Sequence, residues 1–313
     1  MQPRDFPVIV IVGPTASGKT DVALELAERL QAVIVSADSR QFYRWMDIGT
    51  AKPTPEQLRR AKHYFVDFLH PREEYSAGQF AREARKLIRE LRQAGRPVVV
   101  VGGSGMYIQA LLQGFFESVV RDPNIKAELK RRAEQEGAAV LHAELQRVDP
   151  QRAAELHPND AHRIVRALEV YYVSGKPFSE LQRQPRVPAD FPYLPFGLMW
   201  PREVLYRRIE ARVDRMVERG LEREVRGLLA MGVSPRANAL QTVGYREMIQ
   251  YIRGELDRDV AIALIKQHTR NFAKRQITWF KRDREIHWLD IATPFQPQTV
   301  ADRILRRLSA DAE

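Results

Sequence analysis

Residues 8–30, "VIVIVGPTASGKTDVALELAERL", are the strongest indication of the fold that we expect for this chain. It begins with a β-branched apolar run, which is typical of a strand buried on both faces in a parallel sheet. Residues 13–20, "GPTASGKT", match the phosphate-loop pattern GxxxxGK[ST]. Residues 19–30 carry apolar side chains at helical spacing. This order of strand, glycine-rich turn and helix predicts that the turn binds an anion with backbone N–H groups and the positive end of the helix.

The same alternation of strand and helix continues along the N-terminal third. Apolar runs at 32–36 and 98–101 predict two more strands, and "FGLMW" at 196–200 predicts a return to the sheet. Such alternation is typical of an α/β fold with a parallel sheet. Ligands of parallel sheets bind at the carboxyl ends of the strands. We therefore expect the phosphate loop, Asp38 and Gly102–Gly105 to share one crevice.

The middle of the chain has a different character from the two ends. Residues 118–197 contain helical patterns, including a continuous one at 125–146, and no convincing strand before position 196. The C-terminal remainder also has helical patterns, at 202–231, 239–253 and 259–282. The sequence thus predicts an α/β fold: a P-loop parallel-sheet core formed by residues 1–117 and 198–313, with a mostly helical insertion domain at 118–197.

The composition of the 313 residues excludes several classes of protein. The chain has no cysteine, and its seven histidines show no metal-binding pair spacing, so disulfides and zinc sites are not expected. It has no uncharged apolar run of about 18 residues and no signal-peptide pattern, so we expect a cytoplasmic protein without a membrane segment. The net charge of +10, with most of the excess in 198–313, fits a polyanionic partner or a solvated Arg-rich surface.

The sequence by itself leaves open which phosphate the loop binds. Enzymes that transfer a phosphoryl group from ATP usually hold the metal with an acid at the end of a second strand. Here the strand at 98–101 runs into glycines and Ser104, and no Asp follows. Asp38 could be the base of a small-molecule kinase, the base of another reaction, or a turn residue. Ser104 could equally be only a helix cap.

The segment 202–231 predicts an amphipathic helix with a stripe of arginines beside its apolar face. Arg212 lies closest to the apolar edge of that stripe, so it is the best placed to reach the interior. The ordinary alternative is a fully solvated stripe. A diphosphate group favours a permanent cation with several donors, and arginine supplies one. The apolar face consists of Leu205, Ile209, Val213 and Met216, and the stripe of Arg208, Arg212, Arg215 and Arg219.

Residues 270–284, "RNFAKRQITWFKRDR", combine cationic side chains with Trp279 and Phe280. Cationic side chains bind backbone phosphates of RNA, and planar side chains stack on exposed bases. A packed amphipathic helix, with the aromatic side chains in the core and the cations in solvent, explains the same pattern. The sequence does not separate these two interpretations, and both can hold together.

Taken together, the motifs resemble those of the bacterial tRNA dimethylallyltransferase family, whose members prenylate the adenosine just 3′ of the anticodon. They occur in order along nearly the whole chain, and no single motif is unique to the family. The motifs are "GPTASGKT" (13–20), "DSRQFYRWMDIGTAKP" (38–53), "GGSGMY" (102–107), "RIVRALEV" (163–170), "VGYRE" (243–247) and "AKRQITW" (273–279).

The resemblance implies that the loop binds the diphosphate of dimethylallyl diphosphate with Mg²⁺, and that ATP is not the substrate. Asp38 would be the general base for the N6 amine of a flipped adenosine, and Ser104 would contact the base or the diphosphate. Arg212, with Lys19, would stabilise the leaving group, and Thr20 would hold the Mg²⁺. The diphosphate-binding residues would be Gly13, Pro14, Thr15, Ala16, Ser17, Gly18, Lys19 and Thr20.

The resemblance also implies a set of residues that contact tRNA, while the insertion at 118–197 would contact the anticodon stem. The charge of the insertion is close to neutral, which favours a few placed contacts over general attraction. The implied contacts are Asp38, Ser39, Arg40, Gln41 and Ser104; His162, Arg163, Ile164, Val165 and Arg166; Gln241, Thr242, Val243, Gly244, Tyr245 and Arg246; and Lys274, Arg275, Gln276, Ile277, Thr278, Trp279, Phe280 and Lys281.

Three other functions each fit part of the sequence. A small-molecule kinase explains the N-terminal third but leaves residues 118–313 without a role. A transferase acting on free adenine nucleotides shares the chemistry but needs neither the insertion nor the basic C-terminal third. A non-catalytic RNA-binding module needs no anion-binding loop that faces a carboxylate. For the oligomeric state, a monomer is the default expectation.

Overall fold

The apolar run that opens the phosphate-loop stretch forms the first strand of the protein. The computed structural model describes residues 6–114 and 122–310. In it, Val8–Val12 is strand β1, in which every residue is buried, and Lys19–Leu30 is helix α1. Both elements have the bounds that the sequence predicts.

One parallel sheet organises the part of the chain that carries the phosphate loop. Its strands, among the described residues, are β1, β2 (Val33–Ser36), β3 (His63–Tyr64), β4 (Val98–Gly102), β5 (Tyr193–Met199) and β6 (His287–Asp290). They lie in the order β3-β2-β4-β1-β5-β6, and all neighbouring pairs are parallel. Val12 pairs with Gly102 on one side and Gly197 on the other, so the carboxyl ends of β1 and β4 meet at one edge.

Helices cover both faces of this sheet. On the sheet-bearing part of the chain they are α1, α2 (Pro55–Arg60), α3 (Ala77–Gln93), α4 (Gly105–Leu112), α10 (Arg202–Glu218), α11 (Leu221–Ala230), a 3₁₀ turn (Asn238–Leu240), α12 (Tyr245–Ile252), α13 (Arg258–Phe280) and α14 (Pro297–Ala310). Alternate residues of β1 face different layers: Val10 packs in the core with α3 and α4, and Ile11 with α1 and α14. This burial on two faces explains why β1 is uniformly apolar.

The remaining helices form a compact unit of their own, Gln113–Pro188, separate from the unit made of Met1–Leu112 and Ala189–Glu313. Its helices are α5 (Pro123–Gln135), α6 (Ala138–Val148), α7 (Pro150–Glu155), α8 (Ala161–Ser174) and α9 (Phe178–Gln182). Its core includes Leu141, Leu145, Ile164 and Leu168, each of them fully buried. A helical insertion into the sheet-bearing unit is therefore present.

The boundaries of this insertion differ from the predicted ones. Strand β5 begins at Tyr193, so residues 193–197 belong to the sheet and not to the insertion. The sequence prediction missed this start because Pro195 interrupts the apolar run. The predicted boundary between residues 117 and 118 lies outside the described residues.

Three other local predictions need correction. The expected long helix at 202–231 is two helices, because Gly220 adopts φ +97° and ends the first one. In the insertion, Gly137 at φ +90° likewise divides a segment that was predicted to be continuous. The C-terminal remainder is not wholly helical, since β6 adds an edge strand next to β5. Among the described helices, none is long and apolar enough to span a lipid bilayer.

Candidate active site

The phosphate loop joins the end of β1 to the start of α1. Gly13 has φ +144° and Gly18 has φ +88°, a backbone region that favours glycine. A Cβ at Gly18 would lie 2.4 Å from the ring of Phe295, so both the conformation and the space require glycine there. The first amides of α1 have no intrahelical acceptor, and they therefore present a positive end to this loop.

Two side chains from the C-terminal half of the chain donate hydrogen bonds to carbonyl groups of the phosphate loop. The indole Nε1 of Trp200 donates to the carbonyl of Ser17 at 2.9 Å, and the Nε of Arg208 donates to the carbonyl of Ala16 at 2.9 Å. Because a trans peptide points its C=O and N–H in opposite directions, the bond from Trp200 turns the Gly18 N–H away from Trp200. On the loop itself, the Lys19 ammonium donates to the Pro14 carbonyl at 2.6 Å.

Lys19, Arg212 and Asp38 lie in one electrostatic field. Burial, followed by the charge of Arg212, lowers the pKa of Lys19 to about 7, and the charge of Asp38 opposes this shift. Burial also lowers the pKa of Arg212, and Asp38 is the main opposing influence. Two cations and a carboxylate that the sequence predicts as site residues are therefore brought together. Thr20 follows Lys19 in the first turn of α1, where its side chain is half-buried.

The arginine stripe separates into residues with different surroundings. Leu205, Ile209 and Val213 are buried, as the predicted apolar face requires, and Arg212 is half-buried beside them. Arg208 instead lies over the rings of Trp200 and Phe295, with its guanidinium carbon 4.4 and 5.1 Å from their centroids. Arg212 is thus the member of the stripe that shares the field of Lys19 and Asp38.

Asp38 and Ser104 lie on two adjacent loops that are hydrogen-bonded to each other. The Ser104 Oγ accepts the backbone N–H of Ser39 at 2.9 Å and donates to the Ser39 Oγ at 3.1 Å. An Asp38 oxygen accepts the backbone N–H of Arg40 at 2.9 Å, so Asp38 is also the turn residue that the alternative interpretation describes. The ends of β2 and β4 therefore present a carboxylate and a hydroxyl side by side.

The segment after Asp38 is fastened by charged side chains that the sequence did not single out. The buried Lys52 ammonium donates to the Tyr43 carbonyl at 2.7 Å and pairs with Asp47 at 2.5 Å and Asp67 at 2.6 Å. The Glu224 carboxylate of α11 accepts three successive backbone N–H groups from residues 47–49, at 2.7–3.0 Å. Lys52 lies within the motif at 38–53, whereas no local pattern marks Glu224.

Segment 241–246 is only partly available for contact with RNA. Gln241 and Arg246 are exposed, but Tyr245 is fully buried, and its hydroxyl donates to Glu224 at 2.6 Å. Gly244 is also buried, and its N–H donates to Glu247 at 2.8 Å. The expectation that Tyr245 touches tRNA is therefore wrong for its side chain, which fastens the loop at 47–49 instead. Thr242 and Val243 are half-buried.

Helix α13 divides segment 274–281 into an exposed and a buried set. Phe280 is 2% exposed in the core and Gln276 is 6% exposed, so these two side chains do not face solvent as RNA contacts would. Trp279 is 38% exposed and packs against Gly105, where an added Cβ would lie 2.3 Å from its ring. Ile277 packs against the core. The exposed set is Lys274, Arg275, Thr278, Trp279 and Lys281.

Segment 162–166 belongs to α8 in the helical unit. His162 and Arg163 are exposed, and Arg166 pairs with the buried Glu169 at 2.6 Å. Ile164 and Val165 are 0% and 4% exposed in the core of that unit. Their side chains support the helix, so the expectation that they contact tRNA is wrong for these two residues.

The assembled residues define a class of protein: a P-loop fold in which the phosphate loop, with Lys19 and Arg212, faces a carboxylate and a hydroxyl. Within the described ranges, no group of three or more His, Cys, Asp or Glu side chains could hold a metal ion. The family described as IPP transferase matches residues 41–283. The chain belongs to this IPP transferase family.

Curated relatives and solved structures agree with this assignment. The chain is 49% identical to a tRNA dimethylallyltransferase of Geobacter metallireducens over 92% of this chain and 94% of that protein. It is 44% identical to a tRNA dimethylallyltransferase of Thermotoga maritima over 91% and 92% of the two chains.

Among solved structures, a tRNA isopentenylpyrophosphate transferase of Bacillus halodurans superposes with a TM-score of 0.70 at 35% identity, covering 98% of each chain. A eukaryotic dimethylallyltransferase acting on tRNA has a TM-score of 0.81 at 28% identity, over 98% of this chain and 79% of that one. Both matches extend over nearly the whole of this chain, so the likeness includes the helical unit as well as the sheet-bearing unit.

Proposed function

We propose that this protein transfers the dimethylallyl group from dimethylallyl diphosphate to the N6 amine of the adenosine 3′-adjacent to the anticodon in tRNA, and releases diphosphate. The observation that carries the proposal is the shared electrostatic field of Lys19, Arg212 and Asp38, in a member of the IPP transferase family. These three residues provide cationic side chains for a leaving group and a carboxylate for a nucleophile at one site.

The donor diphosphate binds at the phosphate loop, Gly13–Thr20. The amides of the loop and of the first turn of α1 bind its oxygens, and Lys19 and Arg212 neutralise its charge. Mg²⁺ fits this arrangement through the Thr20 hydroxyl, because Mg²⁺ is commonly held by few protein ligands together with phosphate oxygens and water. When bound, the ion supplies further charge stabilisation to the leaving diphosphate.

The acceptor amine binds at Asp38. The lone pair of an adenine N6 amine is delocalised into the ring, so the amine is a poor nucleophile until a base accepts its proton. The nitrogen forms a bond to the allylic carbon while the carbon–oxygen bond to diphosphate breaks, and that electron pair leaves with the diphosphate. The N6 proton moves to the Asp38 carboxylate. Ser104, bonded to Ser39, positions the Asp38 loop and contacts the base or the diphosphate.

The tRNA contacts are made by side chains that reach solvent. In the sheet-bearing unit these are Arg40, Gln241 and Arg246, together with the exposed set of α13, and in the helical unit they are His162 and Arg163. The adenosine leaves its stack to reach Asp38. One chain supplies every residue of this chemistry, so we propose an active monomer. A tRNA substrate also implies a cytoplasmic protein.

A transfer assay with three parallel samples tests the proposal. The protein and Mg²⁺ are incubated with labelled dimethylallyl diphosphate and unmodified tRNA, with the same donor and AMP, or with ATP and tRNA. We expect label in tRNA and none in AMP, and no turnover of ATP. Label in AMP would assign the chain to transferases of free nucleotides. ATP turnover without prenyl transfer would mean that the loop is an ordinary nucleotide site.

A further inference from the structure

The amide of Gln276 connects the two loops that frame the candidate site. Its Oε1 accepts the backbone N–H of Thr15, in the phosphate loop, at 2.8 Å. Its Nε2 donates to the backbone carbonyl of Gly103, beside Ser104, at 2.9 Å. Gln276 comes from α13, and only 6% of its surface is exposed. One buried side chain thus fixes the loop after β1 to the loop after β4.

The chemistry of this bridge requires a side chain with both a donor and an acceptor at its end. A carboxylate would place a second acceptor against the Gly103 carbonyl, and a thioether would leave both backbone groups without a good partner. The space at Gly103, on the other side of this hydrogen bond, is also restricted. A Cβ on Gly103 would lie 2.4 Å from the Gln276 Nε2, so the glycine is required for the amide to approach.

The same helix carries exposed cations next to this buried contact. Lys274 and Arg275 are exposed on α13, two residues and one residue before Gln276. Three residues after it, Trp279 packs on Gly105, so α13 contacts both the loop after β4 and the start of α4. Any RNA that binds these exposed cations therefore contacts α13, the same helix that fixes the phosphate loop.

We propose that Gln276 is a positioning residue for the donor diphosphate and not a contact to tRNA. The bond to Thr15 fixes the backbone next to Pro14, whose carbonyl accepts the Lys19 ammonium. Loss of the amide frees Thr15 and Pro14, and with them the position of the Lys19 charge. This inference rests on the proposed function, since it takes diphosphate as the ligand of the loop.

The test is a double-mutant cycle between Gln276 and Gly103. Gln276→Ala removes the amide, Gly103→Ala displaces it with a methyl group, and the double variant has room for that methyl group. Binding of inorganic diphosphate with Mg²⁺ is measured by calorimetry without tRNA. Each single variant weakens it about tenfold, as expected for loss of a buried hydrogen bond. The double variant binds no more weakly than Gln276→Ala.

A matched variant separates this effect from RNA binding. Arg275→Gln, at the neighbouring exposed position, weakens tRNA binding and leaves diphosphate affinity unchanged. Gln276→Ala weakens diphosphate binding and leaves tRNA affinity unchanged. Gln276→Met, which keeps the volume of the side chain, repeats the measurement if the alanine variant does not fold. In a transfer assay, the Gln276 variants raise the KM for the donor and leave the KM for tRNA unchanged.

The inference is overturned by a folded Gln276 variant with unchanged diphosphate affinity, or by one that loses as much tRNA affinity as Arg275→Gln. Fully additive effects in the double variant also overturn it. Failure of the proposed function looks different, because diphosphate binding is measured without prenyl transfer. In that case the wild-type chain binds diphosphate and leaves tRNA unmodified.

Discussion

At the scale of single residues, Asp38 is the group on which the proposed proton transfer depends. Asp38→Asn keeps the size of the side chain and removes the base, so we expect kcat to fall at least about 100-fold while tRNA affinity changes little. Single-turnover transfer and filter binding measure the two effects. Asp190→Asn, at a surface carboxylate paired with Arg89, is the control and should transfer normally. A fall of less than about tenfold would mean that Asp38 is not the base.

The pKa of Lys19 makes a second prediction at this scale. Since burial and Arg212 lower that pKa to about 7, the free protein holds a largely neutral Lys19 at pH 8. A bound diphosphate favours the charged form, so binding at pH 8 takes up a proton. In Lys19→Arg the side chain at this position is charged both before and after diphosphate binds, so it takes up no proton. Calorimetry in two buffers of different ionisation enthalpy measures the difference. Equal proton uptake by both proteins would contradict the prediction.

Residue-level patterns in the sequence predicted where some of these side chains lie and not others. Arg212 could be predicted from its place beside an apolar helical face, because that place determines which way the side chain points. The burial of Tyr245 and Gln276 could not, since each bonds to groups far away in the sequence: Glu224, and both Thr15 and Gly103. Motifs show that a position matters, but they do not distinguish contact with substrate from support of a loop.

At the scale of elements, Glu224 on α11 and Tyr245 on α12 hold the segment that follows Asp38. Tyr245→Phe removes one partly buried hydrogen bond to the charged Glu224, so we expect the free energy of unfolding to fall by about 1–3 kcal/mol. Urea denaturation measures it, and hydrogen exchange should show faster opening at residues 47–49. Tyr172→Phe, at an exposed tyrosine, serves as the control and should cost less. Equal effects of the two substitutions would argue against this role.

The elements themselves were predicted with uneven success, for physical reasons. β1 and α1 have the predicted bounds, because a buried β-branched run and a glycine turn are strong local signals. β6 was missed because its four residues form a strand only by pairing with β5, a contact distant in sequence. Gly220 and Gly137 divide helices whose apolar patterns continue past them, and only their positive φ reveals the break.

At the scale of the whole molecule, the net charge of +10 is complementary to the negative charge of a tRNA substrate. Replacing Lys274 and Arg275 by Gln should lower the slope of log affinity against log salt by about 0.7–0.9 for each lost phosphate contact. Arg226→Gln, in a surface pair with Glu222 on α11, is the control with an unchanged slope. The measurement is tRNA binding over a range of salt concentrations. An unchanged slope in the double variant would contradict the assigned RNA surface.

The two-unit organisation could be predicted from sequence, because a stretch with helical periodicity interrupts an alternation of strands and helices. The boundary between the insertion and β5 could not be predicted to the single residue, because Pro195 interrupts the apolar run at the start of the strand. The ligand of the loop was also open from the P-loop alone. The resemblance across the later motifs implies dimethylallyl diphosphate, which stays a prediction, because the family match covers residues 41–283 and not the loop.

The most direct test of the account locates the prenyl group on the acceptor. Unmodified tRNA is incubated with the protein, Mg²⁺ and dimethylallyl diphosphate, then digested to nucleosides and analysed by mass spectrometry. A parallel tRNA has guanosine in place of the adenosine next to the anticodon. We expect N6-dimethylallyl adenosine from the first tRNA, none from the second, and none when Asp38→Asn replaces the wild-type protein. Equal modification of both tRNAs, or undiminished modification by Asp38→Asn, would contradict the account.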